Sequence, residues 1–178
     1  MEKITIKANS LPELARLTIE EFVRNRKVVY LEESCLPEFQ NQSAGTFVTL
    51  YKNGQLRGCI GTISPVQTNI VHEVIRNAIS SSTHDPRFHP VEEHELPFIK
   101  YSVNVLMPAE PIDSENELDP NKYGVIVTAP PNRRGLLLPR LEGINTVKDQ
   151  LYHAKMKAGI APTETVQLFR FESIEHKE

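Results

Sequence analysis

The dipeptide Asn53-Gly54 lies between two strand-like runs, residues 46–51 and 56–63, and it constrains the fold more than any other feature of the chain. Asparagine followed by glycine readily adopts the two consecutive positive φ angles of a type I′ turn, so the flanking runs are expected to form a tight antiparallel hairpin. Counting outward from that turn sets a register. Tyr51 faces Leu56, Thr49 faces Gly58 and Phe47 faces Ile60 on the more apolar side, while Leu50 faces Arg57, Val48 faces Cys59 and Thr46 faces Gly61 on the other. In this register Arg57 and Cys59 share one face, roughly 6.5–7 Å apart along the strand. The two glycines of Leu56-Arg57-Gly58-Cys59-Ile60-Gly61 are expected to mark a bulge, or a place where a ligand or another backbone comes close.

The remaining segments build a repeated pattern around this hairpin. Ser10, with Pro12 and Glu13 after it, starts a helix with Leu11, Leu14, Ala15, Ile19, Phe22 and Val23 on one face. A looser connector over about 28–43 contains Cys35. Ser64-Pro65-Val66-Gln67 reads as the capped start of a second helix, with apolar positions 66, 70, 71, 74, 75, 78 and 79, ending in the run 80–83. A polar loop with His84, Asp85-Pro86 and His89 follows. Alternation at Ile99, Tyr101, Val103 and Val105 then predicts a half-buried strand stopped by Pro108, and 110–122 reads as an acidic, turn-rich loop.

A second cycle echoes the first. Gly124-Val125-Ile126-Val127-Thr128 parallels Gly45-Thr46-Phe47-Val48-Thr49, and Arg134-Gly135-Leu136 parallels Arg57-Gly58-Cys59 after a shorter turn on Pro130-Pro131-Asn132. A helix from about 147, capped by Asn145 or Thr146, buries Val147, Leu151, Ala154 and Ala158 and closes at Gly159, and a strand over 165–171 completes the cycle. The expectation is an α+β fold: two intertwined strand-strand-helix-strand repeats, about 45–107 and 124–172, with mainly antiparallel sheets and an extra N-terminal helix, in a single domain over 1–178.

Charge and cysteine usage exclude several classes of function. A net charge of -3 and a pI near 6.1 do not suit a protein that holds nucleic acid by bulk electrostatics, so only weak non-specific binding is expected. Met1-Glu2-Lys3-Ile4 lacks the apolar core of a signal peptide, and no apolar run nears the ~18 residues of a membrane span. A soluble cytoplasmic protein without membrane contact is the expectation. Cys35 and Cys59 are too few for a disulfide framework and show no paired metal spacing, so both are read as reduced thiols and no metal site is expected.

Several ordered motifs carry a family resemblance. They are Gly45-Thr46-Phe47-Val48-Thr49-Leu50, the hexapeptide 56–61, Asp85-Pro86-Arg87-Phe88, Glu95-Leu96-Pro97, Arg134-Gly135-Leu136-Leu137-Leu138-Pro139 and Lys157-Ala158-Gly159-Ile160. Over about residues 10–172 their order and spacing resemble the AMMECR family. Leu141-Glu142-Gly143-Ile144-Asn145-Thr146-Val147 is most similar to its bacterial branch, AmmeMemoRadiSam system protein A. The resemblance implies the duplicated α+β fold. The branch name implies two partners, a Memo-like protein and a radical S-adenosylmethionine protein, in a three-part modification pathway. It implies neither a reaction nor a cofactor. The chain has no cysteine triplet for an iron-sulfur cluster and no glycine-rich nucleotide fingerprint, so it is not itself the radical component.

Cys59 is the candidate nucleophile, with His84 its candidate general base, and the alternative is a small buried side chain, since its counterpart in the second cycle is Leu136. Arg57 and Arg134 are candidate anion ligands at a shared cleft, with Gly58 and Gly61 letting a ligand approach; alternatively the arginines pair with acids such as Glu95 or Asp119. In Asp85-Pro86-Arg87-Phe88, Arg87 is the member expected to reach a cleft and Asp85 to orient it, against a purely structural turn. His84, His89 and His94 do not share a helical face and read as surface residues, as do His72 and His153. Two function classes follow. One is a cysteine-dependent transferase or hydrolase acting on a small anionic molecule or an RNA nucleotide, and the other is a non-catalytic adaptor that recognises an anionic group or a protein partner.

Overall fold

A computed structural model of the chain describes residues 4–178; the first three residues, on which the reading of the N-terminus partly rests, lie outside the described residues. In chain order the elements are β1 (Ile4–Ile6), α1 (Leu11–Asn25), β2 (Val29–Leu31), α2 (Pro37–Gln40), β3 (Thr46–Lys52), β4 (Gln55–Gly61), α3 (Ile70–Thr83), β5 (Ile99–Leu106), β6 (Glu110–Ile112), β7 (Gly124–Ala129), β8 (Arg133–Leu137), α4 (Val147–Lys157), β9 (Gln167–Phe171) and β10 (Ser173–Lys177). Short 3₁₀ turns span Glu93–Phe98 and Glu115–Glu117.

The sheets run β10-β5-β3-β4 and β6-β9-β7-β8, and β1 pairs with β2 in a separate parallel pair. In both four-stranded sheets a hairpin is followed by a helix, after which the third strand returns antiparallel to the first. The α+β fold and its duplication are thus visible in the strand order itself. The chain divides into two compact units, one running through Val105 and including Ile174–Glu178, the other Leu106–Ser173.

In the first unit Leu11, Leu14, Ala15 and Ile19 of α1 are fully buried, together with Val48 and Leu50 of β3 and Val74 and Ala78 of α3. Each such leucine or isoleucine contributes on the order of 1.5–3 kcal/mol by leaving water. Ser10 caps α1 by accepting the Glu13 N–H at 3.2 Å. The second unit has its own core of Val125, Val127, Leu137, Ala154 and Ile160. There Thr146 caps α4 through the Asp149 N–H, and Gly159 leaves the helix with φ +63°.

The sheet register corrects the expected one. Asn53 and Gly54 do form the tight turn, with φ +53° and +78°. Beyond Tyr51–Leu56, however, Leu50 pairs with Gly58, Thr49 with Cys59, Val48 with Ile60 and Phe47 with Gly61, so Arg57 is an extra residue in a β-bulge. The face packed on the helices is the one bearing Val48 and Leu50, both fully buried, rather than the side bearing Phe47, Thr49 and Tyr51. Gly58 permits this packing: a Cβ there would lie 2.4 Å from the Ser81 carbonyl oxygen of α3. Gly135 does the same for α4, its Cβ position lying 2.0 Å from the Ala154 carbonyl oxygen.

Helix α3 also starts later than expected, at Ile70 with Asn69 as its cap. The N–H groups of Val66 and Gln67 instead donate to the fully buried Glu73 carboxylate, each at 2.8 Å, and the Thr62 hydroxyl donates to it at 2.7 Å. That carboxylate satisfies the loop's donors, so the loop needs no helical turn of its own. Strand β5 is buried along nearly its whole length rather than alternately, with Ser102 and Asn104 almost as inaccessible as Val103 and Val105. The second turn, Pro130 to Asn132, is longer than the first, and the 110–122 segment contains the short strand β6.

Candidate functional site

Strand β4 lies at the edge of its sheet, so one side of its backbone needs partners other than a further strand. At Cys59 both groups find them in the Asp85-Pro86-Arg87-Phe88 segment. The Cys59 N–H donates to Asp85 Oδ2 at 2.8 Å, and the Cys59 carbonyl accepts from an Arg87 guanidinium N–H at 3.4 Å. Arg87 is fixed in turn, donating to Asp85 through Nε at 3.0 Å, Nη2 at 2.7 Å and its backbone N–H at 3.1 Å. The carboxylate and guanidinium thus stand in for the peptide groups of a missing strand.

This clamp also accounts for the sulfur's position. Because the Cys59 backbone groups point outward, Thr49 and Cys59 form a non-hydrogen-bonded pair, the arrangement that brings opposing side chains closest. The Thr49 hydroxyl and the Cys59 sulfur are 3.2 Å apart, on the sheet face turned away from α3. The thiol is half-buried. The row continues across the sheet: Ser102 pairs with Thr49, and the Ser102 hydroxyl donates to Glu175 at 3.0 Å. Tyr51 stands on the same face. Burial pushes its phenol above the usual value, and negative charge at Cys59 and Glu175 pushes it further.

Burial alone would raise the Asp85 carboxyl, but the Arg87 guanidinium and the N–H groups of Cys59 and Arg87 outweigh it and hold the group at about 2. Arg87 is held above its ordinary range, chiefly by its hydrogen bonds to Asp85, with negative charge at Cys59 adding to the effect. Its side chain is 53% exposed, whereas that of Asp85 is 2% exposed, so the clamp turns a cationic surface outward.

Arg57 takes a different route. From the bulge it closes a bidentate pair on Glu95, Nε to Oε1 at 3.0 Å and Nη2 to Oε2 at 2.8 Å, where Lys52 also donates to Oε1 at 2.7 Å. The hydrogen bonds from Arg57, opposed by burial and aided by Lys52 and the Glu92 N–H, hold Glu95 well below the usual carboxylate range. Arg57 and Arg87 both approach the Phe88 ring, at 5.8 and 5.4 Å from its centroid.

The structure therefore brings Arg57, Gly58, Cys59, Asp85 and Arg87 into one neighbourhood. A Cβ at Gly61 would meet the Phe47 ring and the Thr46 carbonyl, both at 2.3 Å, so protein atoms already fill the space beside that glycine. His84 follows α3 and places Nδ1 2.7 Å from the Thr83 hydroxyl. That hydroxyl donates to the Ile79 carbonyl, so a neutral His84 carries its proton on Nδ1 and its lone pair on Nε2. Arg134 belongs to the second unit, where it is exposed, while the adjacent Arg133 pairs with Glu164. No group of three or more His, Cys, Asp or Glu side chains among the described residues is arranged to hold a metal ion. Sequence reasoning missed Thr49, Tyr51, Ser102 and Glu175. A bulge placed at Arg57-Gly58 would have moved Thr49 opposite Cys59, but β10, which carries Glu175, had no signal beyond a short run after Phe171.

Comparison with known proteins matches residues 12–176 to the AMMECR1 family model. A protein of Thermotoga maritima is 50% identical over 155 residues, covering 86% of this chain and 88% of that one. One of Clostridium acetobutylicum is 45% identical over 93% of this chain, which spans only 35% of that longer protein. The crystal structure of an uncharacterized protein from Pyrococcus horikoshii superimposes with a TM-score of 0.86 at 31% identity, covering 94% of this chain and 89% of that one. No described helix is long and apolar enough to cross a membrane.

Proposed function

This chain belongs to the AMMECR1 family, and from that premise we propose that it acts on, or presents, a small anionic molecule or nucleotide at the Cys59 face, as one component of a modification pathway shared with Memo-like and radical S-adenosylmethionine proteins. The observation that carries the reading is a half-buried thiol held by both of its backbone groups, with a hydroxyl 3.2 Å from the sulfur and a half-exposed guanidinium in the same clamp. A positioned thiol beside a cation suits nucleophilic chemistry on an anionic substrate.

As an enzyme the protein is a cysteine-dependent transferase or hydrolase. The thiol gives up its proton, with His84 Nε2 as the candidate acceptor. The sulfur then forms a bond to an electrophilic carbon or phosphorus, and the leaving group departs with the electron pair of the broken bond and takes up a proton. Water or a second acceptor afterwards displaces the sulfur. Arg87 meets the substrate's negative charge, and Asp85 positions Arg87. Gly58 lets α3 pack on β4, and Gly61 makes room for the Phe47 ring. Arg57 acts through Glu95 and Phe88.

The adaptor reading also has an observation in its favour: the forked donors of Arg57 are already closed on Glu95. Incubating the wild type and Cys59→Ser with a small-molecule extract, and measuring the intact mass of each, separates the two. The enzyme reading expects an added mass on the Cys59 peptide of the wild type alone. No adduct, with Cys59 reacting with iodoacetamide only after denaturation, leaves the adaptor.

A further inference from the structure

The first unit contains a groove of about 560 Å³ at the turn end of its sheet, bounded by the Asn53-Gly54 turn, the 3₁₀ turn ending at Phe98, and Lys177 of β10. We propose that this groove binds a planar aromatic ring carrying an anionic group, and so gives the substrate class of the Cys59 site, an inference that rests on the function proposed above. Its volume lies within the range of small-ligand sites, roughly 300–1,000 Å³.

The lining supplies both halves of such a ligand. Tyr51 and Phe98 are large rings left 37% and 59% exposed, an unusual loss of burial for two aromatics bordering one hollow. Lys100 stands opposite Tyr51 across the β3–β5 pairing. It is exposed and has no ion-pair or hydrogen-bond partner among the described residues. Lys177 lies 3.2 Å from Glu175, and Glu178 lies 3.1 Å from Arg16, which also pairs with Glu13 and Glu20. Lys100 thus stands as a cation without an ion-pair partner among the described residues beside two ring faces, which fits a single aromatic anion better than a polyanionic strand.

The groove also leads toward the thiol. Ser102, which lines it, pairs with Thr49, and the Thr49 hydroxyl touches the Cys59 sulfur. Tyr51 belongs both to the groove and to the face that carries Cys59.

The test is a titration with adenosine 5′-monophosphate, followed by saturation-transfer NMR and calorimetry, against its two halves, adenosine and ribose 5-phosphate. The wild type is expected to bind the whole nucleotide saturably and about tenfold more tightly than either half, because ring and anion are held at once. Lys100→Glu and Phe98→Ala are each expected to weaken it about fivefold or more with no change in thermal midpoint, since both side chains are exposed. Nucleotide binding no tighter than that of ribose 5-phosphate, or insensitive to Lys100→Glu, overturns the inference. An adduct at Cys59 without nucleotide affinity refutes the groove and leaves the thiol chemistry standing, whereas affinity without an adduct does the reverse.

Discussion

The two hairpins, β3–β4 and β7–β8, share one packing device and differ in nearly everything chemical. Both put a glycine under the backbone of the following helix, Gly58 beneath Ser81 and Gly135 beneath Ala154. Both also cap the outward carbonyl of the next residue with a cation, Arg87 on Cys59 and Lys157 on Leu136. The first hairpin then adds a bulge, a Thr49–Cys59 polar pair and a buried aspartate. The second keeps a continuous register and fills the matching places with the apolar pair Ile126–Leu136, both buried. The duplicated scaffold is thus constrained by helix packing, while the thiol, bulge and clamp belong to one copy.

The shared device gives the largest expected effect. Alanine at either Gly58 or Gly135 drives a Cβ into a helix carbonyl and is expected to cost about 3 kcal/mol, read from denaturant unfolding. If Gly135→Ala proves mild while Gly58→Ala is severe, the equivalence of the hairpins fails. Next comes Asp85→Ala, expected to cost about 2–3 kcal/mol because it leaves the Cys59 N–H and the Arg87 guanidinium without their acceptor. Arg134→Ala, at an exposed position of the second hairpin, is expected to stay within about 0.5 kcal/mol.

Acid sharpens the same contrast. The Asp85 carboxyl sits at about 2 in the folded chain against an ordinary 3.8, so the stability it lends is present above about pH 4 and is lost as pH falls through about 2. The expected loss is about 2 kcal/mol. Asp85→Asn should flatten that limb of the stability profile, and an unchanged acid limb would detach Asp85 from the clamp. A further contrast separates the paired arginines. Arg57→Ala leaves the buried Glu95 carboxylate without its bidentate partner and should cost about 1–2 kcal/mol, while Arg133→Ala breaks a surface pair and should cost less in the same unfolding assay.

Much of the scaffold was legible because it is written in local chemistry. Asn53-Gly54 gave the turn, Ser10 and Thr146 gave helix starts, and Gly58 carried a double hint of bulge and close approach, both of which occur. The register failed because a turn fixes pairing only as far as the first irregularity, and one extra residue reversed the assignment of faces. The start of α3 failed because Ser64-Pro65 has good capping residues, yet a distant buried carboxylate, Glu73, claims the donors there. Strands β1, β2 and β6, three residues each, are too short for periodicity to reveal, and β10 pairs with β5, a partner remote in sequence. Asp85 and Arg87 were legible as a motif, but their common target, the Cys59 peptide, appears only once β4 is known to be an edge.

The central claim is that the clamp on β4 presents a thiol to anionic molecules, and one experiment addresses it directly. Native protein is alkylated at neutral pH with iodoacetate and, separately, with iodoacetamide, and the rates at Cys59 and Cys35 are read by peptide mass spectrometry. Cys59 is expected to favour the anionic reagent more than Cys35 does, and Arg87→Ala to remove the preference. Equal preference at the two cysteines, or reaction at Cys59 only after unfolding, contradicts it.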